Sequence, residues 1–228
     1  MNREKRVFYT ELCYVLGIII LAFGAALTEL SDLGVSMIIA PAYILHLKMS
    51  QVFPWFSFGV AEYVVQGALI LITTLLMRRF KLSYILSFVT AIIYGAALDA
   101  AMFAVSFLPS ETLAVRIVWY VVGVLLSTFA ISLIFHTYIS PEAYELIVKE
   151  ISGGFSLNIN KVKMAYDCLS LVVAIAFSFI FFGLGTFRGI GVGTIISALF
   201  NGFLISRMTI LLEKFFVFKN RFDLEKYF

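Results

Sequence analysis

Apolar residues run along this chain in stretches of about 20, the length a helix needs to cross the hydrocarbon core of a bilayer. Short polar or charged breaks separate them. The pattern predicts six spans, at about 9–29, 56–77, 83–107, 113–137, 164–184 and 190–212. Two shorter apolar elements, VSMIIAPAYILHLK at 35–48 and PEAYELIVKEIS at 141–152, are too short to cross alone. They are expected as interfacial or re-entrant helices. The first stretch has no small-residue cleavage site, so it reads as a retained helix and not as a signal peptide.

The pattern also repeats. SFVTAIIYGAALD (87–99) lies over TIISALFNGFLIS (194–206), matching Ser87 with Thr194, Ala91 with Ala198, Gly95 with Gly202 and Asp99 with Ser206. WFSFGVAEYVVQG (55–67) lies over NKVKMAYDCLSLV (160–172), which matches Glu62 with Asp167. The short elements fall in register as well, 35–44 against 141–150, and the three offsets are 107, 105 and 106 residues. The expected organisation is one transmembrane domain over 1–228, with repeat 1 at about 9–107, repeat 2 at about 113–212 and a cytoplasmic tail at 213–228. Each repeat holds three full spans, an odd number, so the two must cross the membrane in opposite senses. Inverted repeats that meet around a midplane site are a common transporter architecture. The fold class expected is therefore all-α and polytopic, built as two inverted three-helix repeats.

Composition agrees. Hydrophobic residues make up 62% of the 228, charged residues 14%, and the mean hydropathy is +1.01. A soluble domain is roughly 45–50% apolar and about 25% charged. With the N-terminus inside, the inner loops collect Arg3, Lys5, Arg6, Arg78, Arg79, Lys81, Lys149, Lys161, Lys163, Lys214, Lys219, Arg221 and Lys226. The outer loops receive little beyond Lys48, Arg116 and Arg188. That bias places both termini in the cytoplasm. The basic residues are spread over loops as topology signals, so nucleic acid is not an expected partner. The two cysteines, Cys13 and Cys168, lie in different apolar segments and support neither a disulfide framework nor a zinc site.

Small residues in the first span (LAFGAAL), then DLGVSMIIAPAYI, and finally GLGTFRGIGVGTIISALFNGFLI give the chain its most specific signature. In these it resembles the bacterial YczE/YitT-type integral membrane proteins. The resemblance implies a six-span protein of the bacterial inner membrane, a transporter in the reading we favour, and it supplies no catalytic residues.

Candidate chemistry lies mainly in the spans. Glu62 and Gln66 are four apart and share a helix face. Counted along their helices, Glu62 lies roughly 9 Å and Asp99 roughly 12 Å below the outer edge. The two carboxylates are therefore expected to meet at one level, where they share a proton or hold a cation. A structural polar cluster is the alternative. Tyr94, Asn201, Thr194 and Ser197 lie in the two spans that repeat each other and are candidate ligand contacts, or else interhelical hydrogen-bonding groups. Tyr43, beside Pro41 in the first short element, is a candidate cavity residue. The steps Ala91-Gly95-Asp99 and Ala198-Gly202-Ser206 read as helix-packing stripes. The glycine-rich 183–194 is neither a Walker loop nor a dinucleotide fingerprint and reads as a loop that opens a helix. His46 and His136 read as interface residues, and Asp167 as a partner of Lys161 or Lys163.

No catalytic triad, metal motif or cofactor fingerprint occurs, so neither an enzyme, a metal nor a cofactor is expected. The leading function is a secondary carrier or exporter of a small polar or cationic organic solute, bound between the inverted repeats. Two alternatives stand beside it. One is a substrate-binding subunit of an energy-coupling-factor vitamin importer; the other is a membrane scaffold that transports nothing. The partners expected are membrane lipid, a small-molecule substrate, and either a second copy of the chain or a coupling subunit.

Overall fold

The computed structural model describes residues 6–222. Six described helices are long and apolar enough to cross a membrane. They are α1 (Thr10–Leu30), α3 (Phe58–Met77), α4 (Leu82–Val105), α5 (Leu113–Ile134), α7 (Ile159–Phe182) and α8 (Val192–Phe215), with the short α2 (Ala40–Met49) and α6 (Ala143–Gly154) between them. The protein is an all-α polytopic membrane protein with one small addition. Strands β1 (Arg6–Tyr9) and β2 (Phe216–Lys219) pair in parallel. They bring both ends of the chain to one end of the bundle, called here the terminal end. Glu11 fastens them by accepting from the N–H groups of Arg221 (3.0 Å) and Phe222 (2.9 Å) and from the Tyr138 hydroxyl (3.0 Å). The expected tail thus begins as the close of α8 and a strand. Arg3, Lys5 and Lys226, counted above in the charge bias, lie outside the described residues.

Local chemistry sets the helix limits. Ser57 starts α3, its hydroxyl accepting from the Val60 N–H at 3.1 Å, and Thr112 does the same for α5. Arg78 stops α3 in the left-handed conformation, at φ 50°. In the connection to α8, Gly183, Gly185 and Gly189 all have positive φ, which only glycine adopts freely.

Exchanging α1 with α5, α2 with α6, α3 with α7 and α4 with α8 maps most of the packing onto itself. Helix α1 packs on α4 as α5 does on α8, α3 on α6 as α7 on α2, and α2 on α3 as α6 on α7. Hydrogen bonds repeat under the same exchange. Tyr14 and Thr90 share one at 2.9 Å, and their counterparts Tyr120 and Ser197 share one at 2.6 Å. The Ser87 hydroxyl donates to the Pro141 carbonyl, as the Thr194 hydroxyl does to the Val35 carbonyl. At the pseudo-axis α1 and α5 cross closely: a Cβ on Gly24 would meet the Gly123 carbonyl oxygen at 2.9 Å, and one on Gly123 would meet that of Gly24 at 2.8 Å.

One interface breaks the pattern. Helix α3 packs tightly on α4, whereas α7 and α8 barely touch. The stripe through Gly95 packs as expected, against Gly59 and Tyr63, but a Cβ on Gly202 would meet nothing within 4 Å. The expectation of a second packing stripe at Ala198-Gly202-Ser206 is therefore corrected: its helix has moved away from the partner that the repeat assigns to it.

The short helices settle as re-entrant elements. Gln66, which touches the start of α6, lies roughly 12 Å along α3 from its far end. Gly154, at the close of α6, lies against Met77 at the terminal end of α3. The chain therefore leaves α5 at the terminal end, climbs to mid-depth near residue 142, and descends again as α6. Its counterpart, 33–39 leading into α2, dips from the far end. Non-helical backbone at such depth survives only when protein surrounds it and satisfies its polar groups. Thr90 and Ser87 do this for the Ser140 and Pro141 carbonyls, and Gly189 and Thr194 do it for Val35.

Candidate functional site

The re-entrant turn delivers Glu142, the residue before α6, into the bundle beside Glu62 and Gln66 of α3. Both of these side chains are 0% exposed. The Ala143 N–H, one of the unpaired donors of a new helix, is accepted by Gln66 Oε1 at 3.1 Å. This fixes the amide, whose nitrogen must then face two carboxylates. It donates to Glu62 Oε2 at 3.1 Å and to Glu142 Oε2 at 3.2 Å. The Tyr144 hydroxyl adds a bond to Glu62 Oε2 at 2.7 Å. The second oxygen of each acid, Glu62 Oε1 and Glu142 Oε1, is buried without a partner.

Two carboxylates thus share one amide, and among the described residues no cationic side chain is bonded to either. Lys163 of α7, which acts on Glu142 electrostatically, is bonded elsewhere, 2.6 Å from Glu145 Oε1 and 3.7 Å from Asp167 Oδ1. Burial, reinforced by the charge of Glu62, pushes the Glu142 carboxyl well above the usual carboxylate range. The pair can hold one proton between its members and give it up when something positive takes its place.

Glu142 faces a cavity of about 100 Å³. Its walls come from α1, α4, α5 and α8 and from both re-entrant segments, so it sits where the two halves meet. Apolar side chains such as Ile18, Val124 and Ile131 make up much of the wall, with Tyr94, Tyr144, Ser197 and Asn201 among its polar groups. Besides Glu142 Oε1, Asn201 Oδ1 is a buried lining atom without a partner. Among the described residues, no three His, Cys, Asp or Glu side chains gather as metal ligands would.

The residues singled out from sequence divide accordingly. Glu62 and Gln66 form the hydrogen-bonded core of the site, and Tyr94, Ser197 and Asn201 line its cavity. Thr194 is structural, holding the Val35 carbonyl at 2.8 Å. Tyr43 stands outside the cavity lining, with its hydroxyl on Glu29 Oε1 at 3.0 Å. Asp99 does not pair with Glu62. It caps the start of α3, accepting from the Ser57 hydroxyl at 2.5 Å and the Gly59 N–H at 2.8 Å. The sequence reading missed Glu142 and Tyr144. The available signal was Pro141-Glu142 opening an apolar element too short to cross, which marks an acid carried inward by a broken span.

Residues 8–210 match the family described as a family of unknown function, DUF6198, and the chain belongs to that family. No curated protein and no solved structure matches it.

Proposed function

We propose that this DUF6198 member is a secondary carrier that moves a small polar or cationic solute across a bacterial inner membrane by exchanging the conformations of its two halves. The broken symmetry around the cavity carries this reading. Two halves share most of one packing scheme and two pairs of equivalent hydrogen bonds, yet α3 and α4 are closed where α7 and α8 are splayed. Each half can adopt the arrangement of the other, and the exchange would move the opening of a cavity on the pseudo-axis from one end to the other. A scaffold has no use for such a cavity. The lysine and arginine bias supports a cytoplasmic terminal end, and the YczE/YitT-type resemblance supports the bacterial inner membrane as the setting.

The test needs no substrate. Val124 lines the cavity, and Val124→Cys, with Cys13 and Cys168 replaced, offers one thiol to membrane-impermeant reagents in oriented proteoliposomes. A carrier exposes it to reagent from each side in turn. Labelling from one side only would overturn the proposal.

A further inference from the structure

We infer that the cavity binds a compact organic monocation bearing N–H groups, of the alkylammonium or guanidinium class, in exchange for a proton held between Glu142 and Glu62. The inference names the substrate class and rests on the carrier reading above.

The free polar atoms decide the sign. Glu142 Oε1 and Asn201 Oδ1 are both acceptors, both buried and both unpartnered, and they come from different elements of the cavity wall. A buried acceptor left unpaired is destabilising, so a ligand bringing N–H donors is favoured over one bringing further acceptors. No Lys, Arg or His lines the cavity among the described residues, while Glu142 and Glu145 both do. An anion would find no counter-charge there.

Size narrows the class. The cavity is compact, about 100 Å³. Methylammonium, ethylammonium and guanidinium are small enough to enter it. Tyr94 and Tyr144 add ring faces that tolerate a cation.

The proton follows from the shared amide. Gln66 bridges the two acids, and two carboxylates so placed do not both ionise in a buried site. The groups facing them are Tyr14 from α1, Tyr94 from α4, Tyr144 and Glu145 from α6, and Lys163 and Tyr166 from α7, with Asp167 paired to Lys163. Lys163 is held by Glu145 and Asp167. A cation arriving at Glu142 supplies the charge that lets the pair ionise fully, and the proton leaves to the water on the open side.

The experiment measures binding to the purified full chain, with methylammonium and guanidinium as probes, urea and acetamide as neutral controls of similar shape, and formate as the anion. The cations are expected to bind, by calorimetry and thermal shift, with about one proton released per cation in buffers of differing ionisation enthalpy. Their affinity should rise by up to about tenfold per pH unit between about pH 5 and 7. Glu142→Gln should abolish the proton release and lower affinity at least tenfold. Asn201→Leu should weaken binding and leave the proton release intact, so the proposal stays testable if the first variant does not fold. Binding of urea as tight as that of guanidinium, a parental affinity and pH slope in Glu142→Gln, or no binding by either cation would overturn it. Two-sided labelling at residue 124 without cation binding sinks this substrate class alone; one-sided labelling sinks the carrier.

Discussion

Gly95 and Gly202 occupy equivalent positions in the two halves, and they should respond in opposite ways to one added methyl group. At Gly95 a Cβ would lie 2.9 Å from the Gly59 carbonyl oxygen and 3.0 Å from Tyr63 Cδ1. The oxygen is backbone and cannot swing aside, and Asp99 pins α3 there by accepting the Gly59 N–H at 2.8 Å. The helices must part, and overpacking of that kind costs about 1–3 kcal/mol. Alanine returns up to about 1 kcal/mol through its better helix propensity. At Gly202 nothing lies within 4 Å, so only the propensity gain remains. The two variants should therefore differ by the overpacking cost alone, which for a chain of this size is a gap of about 2–12 °C in Tm. Thermal unfolding of Gly95→Ala and Gly202→Ala in one detergent checks this, with Gly95→Ala the lower. Variants that melt together, or a lower Gly202→Ala, would refute the broken symmetry. Gly202→Leu extends the argument: it should keep its stability here and lose two-sided labelling, because the exchanged state has no room for the side chain.

Glu142→Gln should flatten the dependence of stability on pH. The Glu142 carboxyl is raised by burial and then by the charge of Glu62, so its contribution is complete below the ordinary carboxyl value and is lost as pH rises toward the raised one. The loss runs at up to about 1.4 kcal/mol per pH unit; melts of parent and variant from about pH 4 to 8 check it, and a parental slope in the variant would count against the pair. Asp99→Ala removes the acceptor for the Ser57 hydroxyl and the Gly59 N–H, at about 1 kcal/mol for a lost cap. It should lower Tm and leave the pH dependence of cation binding untouched, and a changed pH slope would return Asp99 to the site.

How much of this could be read from the sequence depends on the range of each interaction. The six spans follow from length and apolarity alone, and the structure has them within a few residues. The repeat register was legible because small residues mark it. The equivalence of Ser87 with Thr194 reappears as a pair of hydrogen bonds on Pro141 and Val35. Glu62 and Gln66 were legible from i, i+4 spacing. The depth of Asp99 was legible, but depth along a helix says nothing of azimuth, and the start of α3 claims its carboxylate first. Glu142 was hidden because its depth depends on a re-entrant turn held by hydroxyls fifty or more residues away in sequence. The pairing of β1 with β2 joins the two ends of the chain, and no local pattern announces it.

The central claim is that the halves exchange conformations, and one cross-link tests it most directly. Cys168 of α7 is exposed and is the counterpart of Tyr63, which packs against Gly95 in the closed half. In the exchanged state Gly202 takes the place of Gly95, so a cysteine there should come against Cys168. The measurement is copper-phenanthroline oxidation of Gly202→Cys in proteoliposomes, with Cys13 and Val124 replaced by Ala and Cys respectively. A disulfide is expected between residues 202 and 168 that restricts labelling of residue 124 to one side and is released by reductant. Failure of that disulfide to form while residue 124 is labelled from both sides, or a cross-linked protein that is still labelled from both sides, would contradict it.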